Sequence, residues 1–289
     1  MSYENPIQPE GINVSDDHPL REFFSLLLVL LLVVLVSITA LTLAAQWLAQ
    51  FIPFSTEQRI AGMVSAQVEM LQEHDASSAD AQVLKREAYL RALAQRLQAH
   101  MDFPEGMTVT VHYSTEDTVN AFAMLGGHVV MYAGSVDKLP NENALAMVLA
   151  HEIAHVELRH PVVAMSRGLT VSIALASIFG LTDNAGVAQL VEWLGVTSTM
   201  SFSREQERDA DRRAAQALLA EYGHLQGATD LFEVFADEFE DDSPRKRLEL
   251  PEFRATHPAL SERIEVLRTL ARELGVSGTV TPLPWHQNT

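Results

Sequence analysis

The spacing of hydrophobic positions changes several times along this chain, and each change marks an element. From Phe23 to Thr56 no residue is charged, and the heart of the stretch, "FFSLLLVLLLVVLVSITALTLAA", has no polar stripe. A hydrocarbon core takes about 20 apolar residues of helix, so residues 23–47 are expected to form one transmembrane helix. Trp47 and Phe51 stand where interfacial aromatics belong. A cleaved signal peptide fits less well, because the apolar run is too long and the tail before it, residues 1–22, is acidic.

Apolar positions then recur at spacings of three and four in "TEQRIAGMVSAQVEMLQEH" and "ADAQVLKREAYLRALAQRLQAHM", two helices parted by a polar break. The period next drops to two. "MTVTVHYS", "TVNAFAM" and "HVVMYAG" read as three short strands, the last two a hairpin across "LGG". A helix resumes at "NENALAMVLAHEIAHVELRH", capped by Asn141 or Asn143 and ended by Pro161. Two apolar stretches follow, "GLTVSIALASIFGL" and "VAQLVEWLGV". Each is too short to cross a bilayer, which suits buried hairpin helices or a membrane-dipping segment.

"SREQERDADRRAAQALLAEYG" is a further helix closed by Gly223, and "ATDLFEVFADEFE" and "HPALSERIEVLRTLAREL" are two more. The tail "GVSGTVTPLPWHQNT" lacks any period and is expected to be loosely ordered. The fold class is thus α+β, mainly helical, with a small antiparallel sheet. Its parts are a tail (1–22), a transmembrane helix (23–47), one folded domain (56–275) and a flexible C-terminal tail (276–289).

Charge narrows the partners. Thirty-eight acidic against 20 basic residues give a net charge of −18, and no basic face is available for a phosphate backbone, so nucleic acid is excluded. The chain has no cysteine, so any metal ion must be held by nitrogen and oxygen. Arg21 stands two residues before the apolar span, which favours an extracytoplasmic position for the domain beyond it.

The chemistry concentrates in "LAHEIAHVELRH". Helical residues four apart share a face, so His151 and His155 can aim at one ion. Glu152 lies about 100° round from His151, where a carboxylate can take a proton from a water that the ion activates. Zinc accepts such ligands and keeps a position open for catalysis. A third histidine six residues past His155 is ruled out, since Pro161 stands there. In "SREQERDADRRAA", Glu207, Asp211, Ala214 and Leu218 form one inward stripe, while Glu205 faces outward with Arg208 and Arg212. Glu207 is therefore the expected third ligand, and Asp211 is placed to hydrogen-bond a ligating imidazole.

With these residues in view, the chain resembles the HtpX/CAAX-prenyl-protease family of zinc metallopeptidases. Ser203, Arg204, Glu207, Ala210 and Asp211 match its S-R-x-x-E-x-x-A-D string. "NAFAMLGGHVVMYAGSVDKL" and "THPALSERI" resemble two further elements. The resemblance implies a zincin-like domain with one Zn2+ on His151, His155 and Glu207. It also implies a substrate strand at Asn120, Ala121, Phe122 and Ala123, and brings His257 and Arg263 to the site. His257 would then hydrogen-bond the oxyanion or occupy the open position of the resting ion. A single clear span points to the single-anchor, Oma-like branch. The expectation is a membrane-anchored zinc endopeptidase of a bacterial inner membrane, with protein or peptide substrates and the lipid bilayer as partners. The rival is a catalytically silent, membrane-tethered peptide-binding module. His112, His128 and His160 are expected to be structural or surface residues.

Overall fold

A computed structural model of the chain describes residues 19–64, 81–179, 202–230, 260–274 and 278–286. Helix α1 (Pro19–Ala49) contains the whole apolar run and is mostly exposed, with Ala49 buried near its end. It is long and apolar enough to cross a bilayer. Helix α2 (Phe54–Val64) opens the first amphipathic stretch, whose remainder lies outside the described residues. Helix α3 (Ala81–Gln98) buries Leu90, Leu93, Ala94 and Leu97, the three-and-four spacing that its sequence predicts.

The strands are β1 (Thr110–Ser114), β2 (Ala121–Met124) and β3 (His128–Tyr132), in the order β1-β3-β2. β2 and β3 form the expected hairpin, but β1 pairs with β3 in parallel, so the sheet is mixed rather than antiparallel. Alternation shows which face of a strand is buried, not which neighbour it takes, and a parallel partner leaves the same pattern. The hairpin turn depends on glycine. Gly127 has φ 86°, and a Cβ there would lie 2.1 Å from the Thr108 carbonyl oxygen.

Helix α5 (Glu142–Glu157) follows the short α4 (Ala133–Lys138) and is buried along its entire length. The sheet's inner face (Val111, Tyr113, Val129, Met131) and helix α7 (Arg204–Tyr222) enclose it in one core with Leu145, Met147, Leu149 and Ile153. Asn141 caps it, accepting from the Ala144 amide at 2.9 Å, while Asn143 accepts from Thr281 N at 2.8 Å. Its polar side chains are buried at a cost that partners must offset. Glu142 accepts from Tyr89, Tyr222 and Arg96, and Glu157 takes both Nε and Nη2 of Arg213.

α5 stops at Glu157, not at Pro161. The break is Arg159, at φ 63°, held there by Glu57 and by the Ile52 carbonyl at 2.6 Å. Such a non-glycine conformation costs on the order of 1 kcal/mol. Pro161 instead sits in the first turn of helix α6 (His160–Phe179), where its missing N–H costs nothing. The apolar stretch from Gly168 is therefore part of a longer helix than its own length suggests, and α6 packs along α1. The second apolar stretch lies outside the described residues, as does most of "ATDLFEVFADEFE".

α7 begins with the Ser203–Gln206 capping box and ends at Gly223 with φ 75°. Helix α8 (Leu260–Leu274) closes the helical part. The tail is not loose where it is described. Leu283 is fully buried, Trp285 packs edge-on against Tyr89 at 5.2 Å, and Thr281 O accepts from Glu142 N at 2.7 Å. A docked segment without helix or strand period leaves no signature in the sequence, which is why it read as flexible.

One consequence for stability lies on the sheet. His112 Nε2 is 2.9 Å from His128 Nδ1. Burial, with the neighbouring His128, holds the His112 pKa down at about 4, and burial lowers that of His128. Their unfolded value is about 6.5, so the unfolded chain takes up these protons first as the pH falls. The stability they permit is complete above that value and is lost as the pH falls towards the folded pKa. The urea midpoint is expected to drop between pH 6.5 and 4.5, and His112→Gln to flatten that drop.

Candidate metal centre

α5, α7 and α8 converge at one end of the core, and their buried polar residues meet there. His151 and His155 lie one turn apart on α5, with their Nε2 atoms 3.0 Å from each other. Glu207, one turn into α7, brings Oε2 to 3.5 Å from His151 Nε2 and Oε1 to 3.5 Å from His155 Nε2. The three donor atoms lie within 4.8 Å of one another, and the residues are 5%, 0% and 1% exposed. Ligands at tetrahedral corners about 2.0–2.1 Å from zinc stand roughly 3.3 Å apart, close to the 3.0 Å between the two imidazole nitrogens and the 3.5 Å from each to its nearer carboxylate oxygen. Two nitrogens and a carboxylate oxygen also make a donor set that a borderline metal accepts. The residues fit an ion.

What surrounds the donors fixes how they point. His151 Nδ1 is 3.0 Å from Asp211 Oδ1, one turn along α7 from Glu207. His155 Nδ1 is 2.8 Å from Nδ1 of His160, the first residue of α6. With its proton on Nδ1, donated to His160, His155 keeps a lone pair on Nε2 for the ion. Phe202 stacks on the His155 ring at 3.9 Å and 17°, which fixes its plane.

Arg263 of α8, 4% exposed, is held bidentately by Asp211, with Nε–Oδ2 and Nη2–Oδ1 both 2.7 Å. Its Nη1 lies 2.7 Å from Glu207 Oε2, and Nη2 is 3.3 Å from His151 Nε2. Glu152 is buried beside the pair of histidines, close enough for its charge to act on Arg263.

These charges set the protonation states. Burial raises and Arg263 lowers the Asp211 pKa; the guanidinium, with the hydrogen bonds from Arg263 and His151, prevails and holds it below the usual range. For His151, burial and Arg263 oppose protonation, but hydrogen bonds to Asp211 and Glu207 outweigh them and raise its pKa to about 9. Burial keeps His160 neutral, with its pKa lowered to about 4, as its acceptor role requires.

The structure thus brings together His151, Glu152, His155, Glu207, Asp211 and Arg263, and it puts Glu205, Arg208 and Arg212 on the outer face of α7. His257 lies outside the described residues. Asn120 precedes β2, an outer strand of the sheet that packs on α5. Because Tyr132 N donates to Asn120 O, alternation turns the main-chain groups of Ala121 and Ala123 away from β3, towards the outer edge of the sheet, although both residues are buried. The Asn120 side chain accepts from Ala121 N at 2.9 Å. His160, expected to be structural or at the surface, is buried and touches a candidate ligand. Only the reversal at Arg159 brings it back to His155, and no periodicity announces that reversal. Phe202, just ahead of the Ser203 cap, gave no signal either.

Comparison with known proteins agrees with the motifs. The sequence model of peptidase family M48 matches residues 84–271, a span that holds every residue of this centre. The chain is 32% identical over 197 residues to the beta-barrel assembly-enhancing protease of Escherichia coli (strain K12), covering 64% of this chain and 39% of that protein. It is 28% identical over 163 residues to the mitochondrial metalloendopeptidase OMA1 of Saccharomyces cerevisiae, covering 56% and 46%. It is 31% identical over 127 residues to metalloprotease YcaL of E. coli, covering 43% and 49%. The chain therefore spans less than half the length of each of these relatives.

Proposed function

The chain belongs to peptidase family M48, and we propose that it is a membrane-anchored zinc endopeptidase cutting protein substrates at the His151–His155–Glu207 centre. The observation that carries this is the gathering of two imidazole nitrogens and one carboxylate oxygen within 4.8 Å of one another, the three-ligand set with which a catalytic zinc keeps its fourth position for chemistry. The domain, residues 56–275, would stand on α1 as a single-pass anchor, on the extracytoplasmic side of a bacterial inner membrane.

Zinc, when bound by His151, His155 and Glu207, supplies Lewis acidity that polarises a carbonyl and makes water acidic enough to attack near neutral pH. The Glu152 carboxylate takes the proton of the attacking water and delivers it to the leaving nitrogen. Asp211 orients His151 through Nδ1, and Arg263 keeps Asp211 ionised. Arg263 acts through these carboxylates rather than on the peptide. His257 is assigned the developing oxyanion. An extended peptide would add to the outer edge of β2, using the main-chain groups of Ala121 and Ala123 once that edge is uncovered, with Phe122 holding the strand down. There Asn120 occupies the Ala121 N–H until a peptide carbonyl replaces it.

The full chain loaded with one equivalent of zinc is expected to cleave unfolded casein, to stop when a chelator removes the zinc, and to recover when it is restored. Zinc-loaded chain that binds casein without cutting it would favour the silent binding module. His160 carries a separate prediction. Removing the hydrogen bond that orients His155, as in His160→Asn, is expected to weaken zinc about 10- to 100-fold. Competition with a chromophoric chelator measures this, and circular dichroism checks that the helices persist.

A further inference from the structure

α6 has features that its place in the metal centre does not require. Past Arg167 it carries no charge up to Phe179. Leu169, Ile173 and Ile178 on this stretch are 40%, 51% and 54% exposed. Its buried positions are small residues four apart, Gly168, Ser172 and Ala176. α1 lies against α6, and its half-buried or buried positions also fall on one stripe, Val34, Ile38, Thr42, Ala45, Gln46 and Ala49. Ala49 shares a cluster with Val162, so the helices run antiparallel from that junction.

Small residues at such spacing let two helices approach closely where no water drives them together. The hydroxyls fit the same solvent. Thr170, Ser172 and Ser177 each donate to the carbonyl one turn back, as Thr39 and Thr42 do on α1. In hydrocarbon a hydroxyl has no other partner.

We propose that residues 168–179 of α6 are embedded in the bilayer against α1, with lipid acyl chains covering the exposed Leu169, Ile173 and Ile178. The exposed face of α6 continues the apolar surface of α1, so one solvent suits both. Twelve residues of helix reach about 18 Å into a hydrocarbon core of about 30 Å. His160 lies about 12 Å before Gly168 along the same helix. The candidate metal centre therefore sits at the membrane surface, and one of its ligands is held by the root of a lipid-seated helix. The proposal rests on α1 being the anchor.

The chain has no cysteine, so single cysteines can report position without background. Full chains carrying Ile173→Cys, Ile178→Cys, Val29→Cys on α1 or Thr110→Cys on β1 are labelled with a nitrobenzoxadiazole dye. They are then reconstituted in phosphatidylcholine–phosphatidylglycerol vesicles. Brominated acyl chains are expected to quench positions 173, 178 and 29, while aqueous iodide quenches position 110 alone. Iodide reaching 173 and 178, with bromolipid still reaching 29, overturns the seating of α6 and leaves the anchor intact. Iodide reaching 29 as well removes anchor and proposal together. Shielding of 173 and 178 from both quenchers assigns the face to a protein contact and also overturns the proposal.

Discussion

Glu152→Gln is expected to lower kcat/KM for peptide cleavage by about 10²- to 10⁴-fold, the range contributed by a positioned general acid–base. Zinc stoichiometry should stay at one per chain. The amide is nearly isosteric, so the packing around α5 persists, but it has no lone pair basic enough to take a proton from water. Glu152 is not among the three donors that converge, so metal and activity separate in this variant. Cleavage and metal content measured on the same preparation check the split. Loss of zinc together with activity would mean that Glu152 has a structural share in the centre.

Arg263→Met is expected to cost about 3–5 kcal/mol of stability in the metal-free protein, the usual penalty for breaking a buried ion pair from one side. The guanidinium lies between two carboxylates, Glu207 and Asp211, that are 1% and 3% exposed. Removing it leaves two buried carboxylates with His151 as their shared cationic neighbour, so one of the two must be protonated or hydrated. Zinc should recover part of the loss, because a bound cation neutralises Glu207 while Asp211 stays uncompensated. Urea unfolding of wild type and variant, with and without zinc, measures the two gaps. A loss under about 1 kcal/mol without metal would contradict a charge balance built on Arg263.

How much was readable beforehand depended on whether a feature is local. The spacing of His151, Glu152 and His155 is set by one helix, and the 4-3-4 stripe of Glu207, Asp211, Ala214 and Leu218 by another, so both faces were legible. Closure by Gly223 was legible for the same reason. Features needing a contact between distant segments were not. The parallel pairing of β1 with β3, the return of His160 to His155 across Arg159, and the docking of Leu283 and Trp285 depend on where other elements lie. The length of α6 was underestimated because Pro161 reads equally as an end or a beginning. Arg263 came to the site through a motif, but its grip on two acidic residues is a property of packing.

The most direct test of the centre is a zinc titration of the metal-free full chain, followed by metal analysis after desalting. Wild type is expected to retain one equivalent, and His155→Ala and Glu207→Ala close to none. Undiminished zinc in Glu207→Ala would contradict the assignment of α7 as the source of the third ligand.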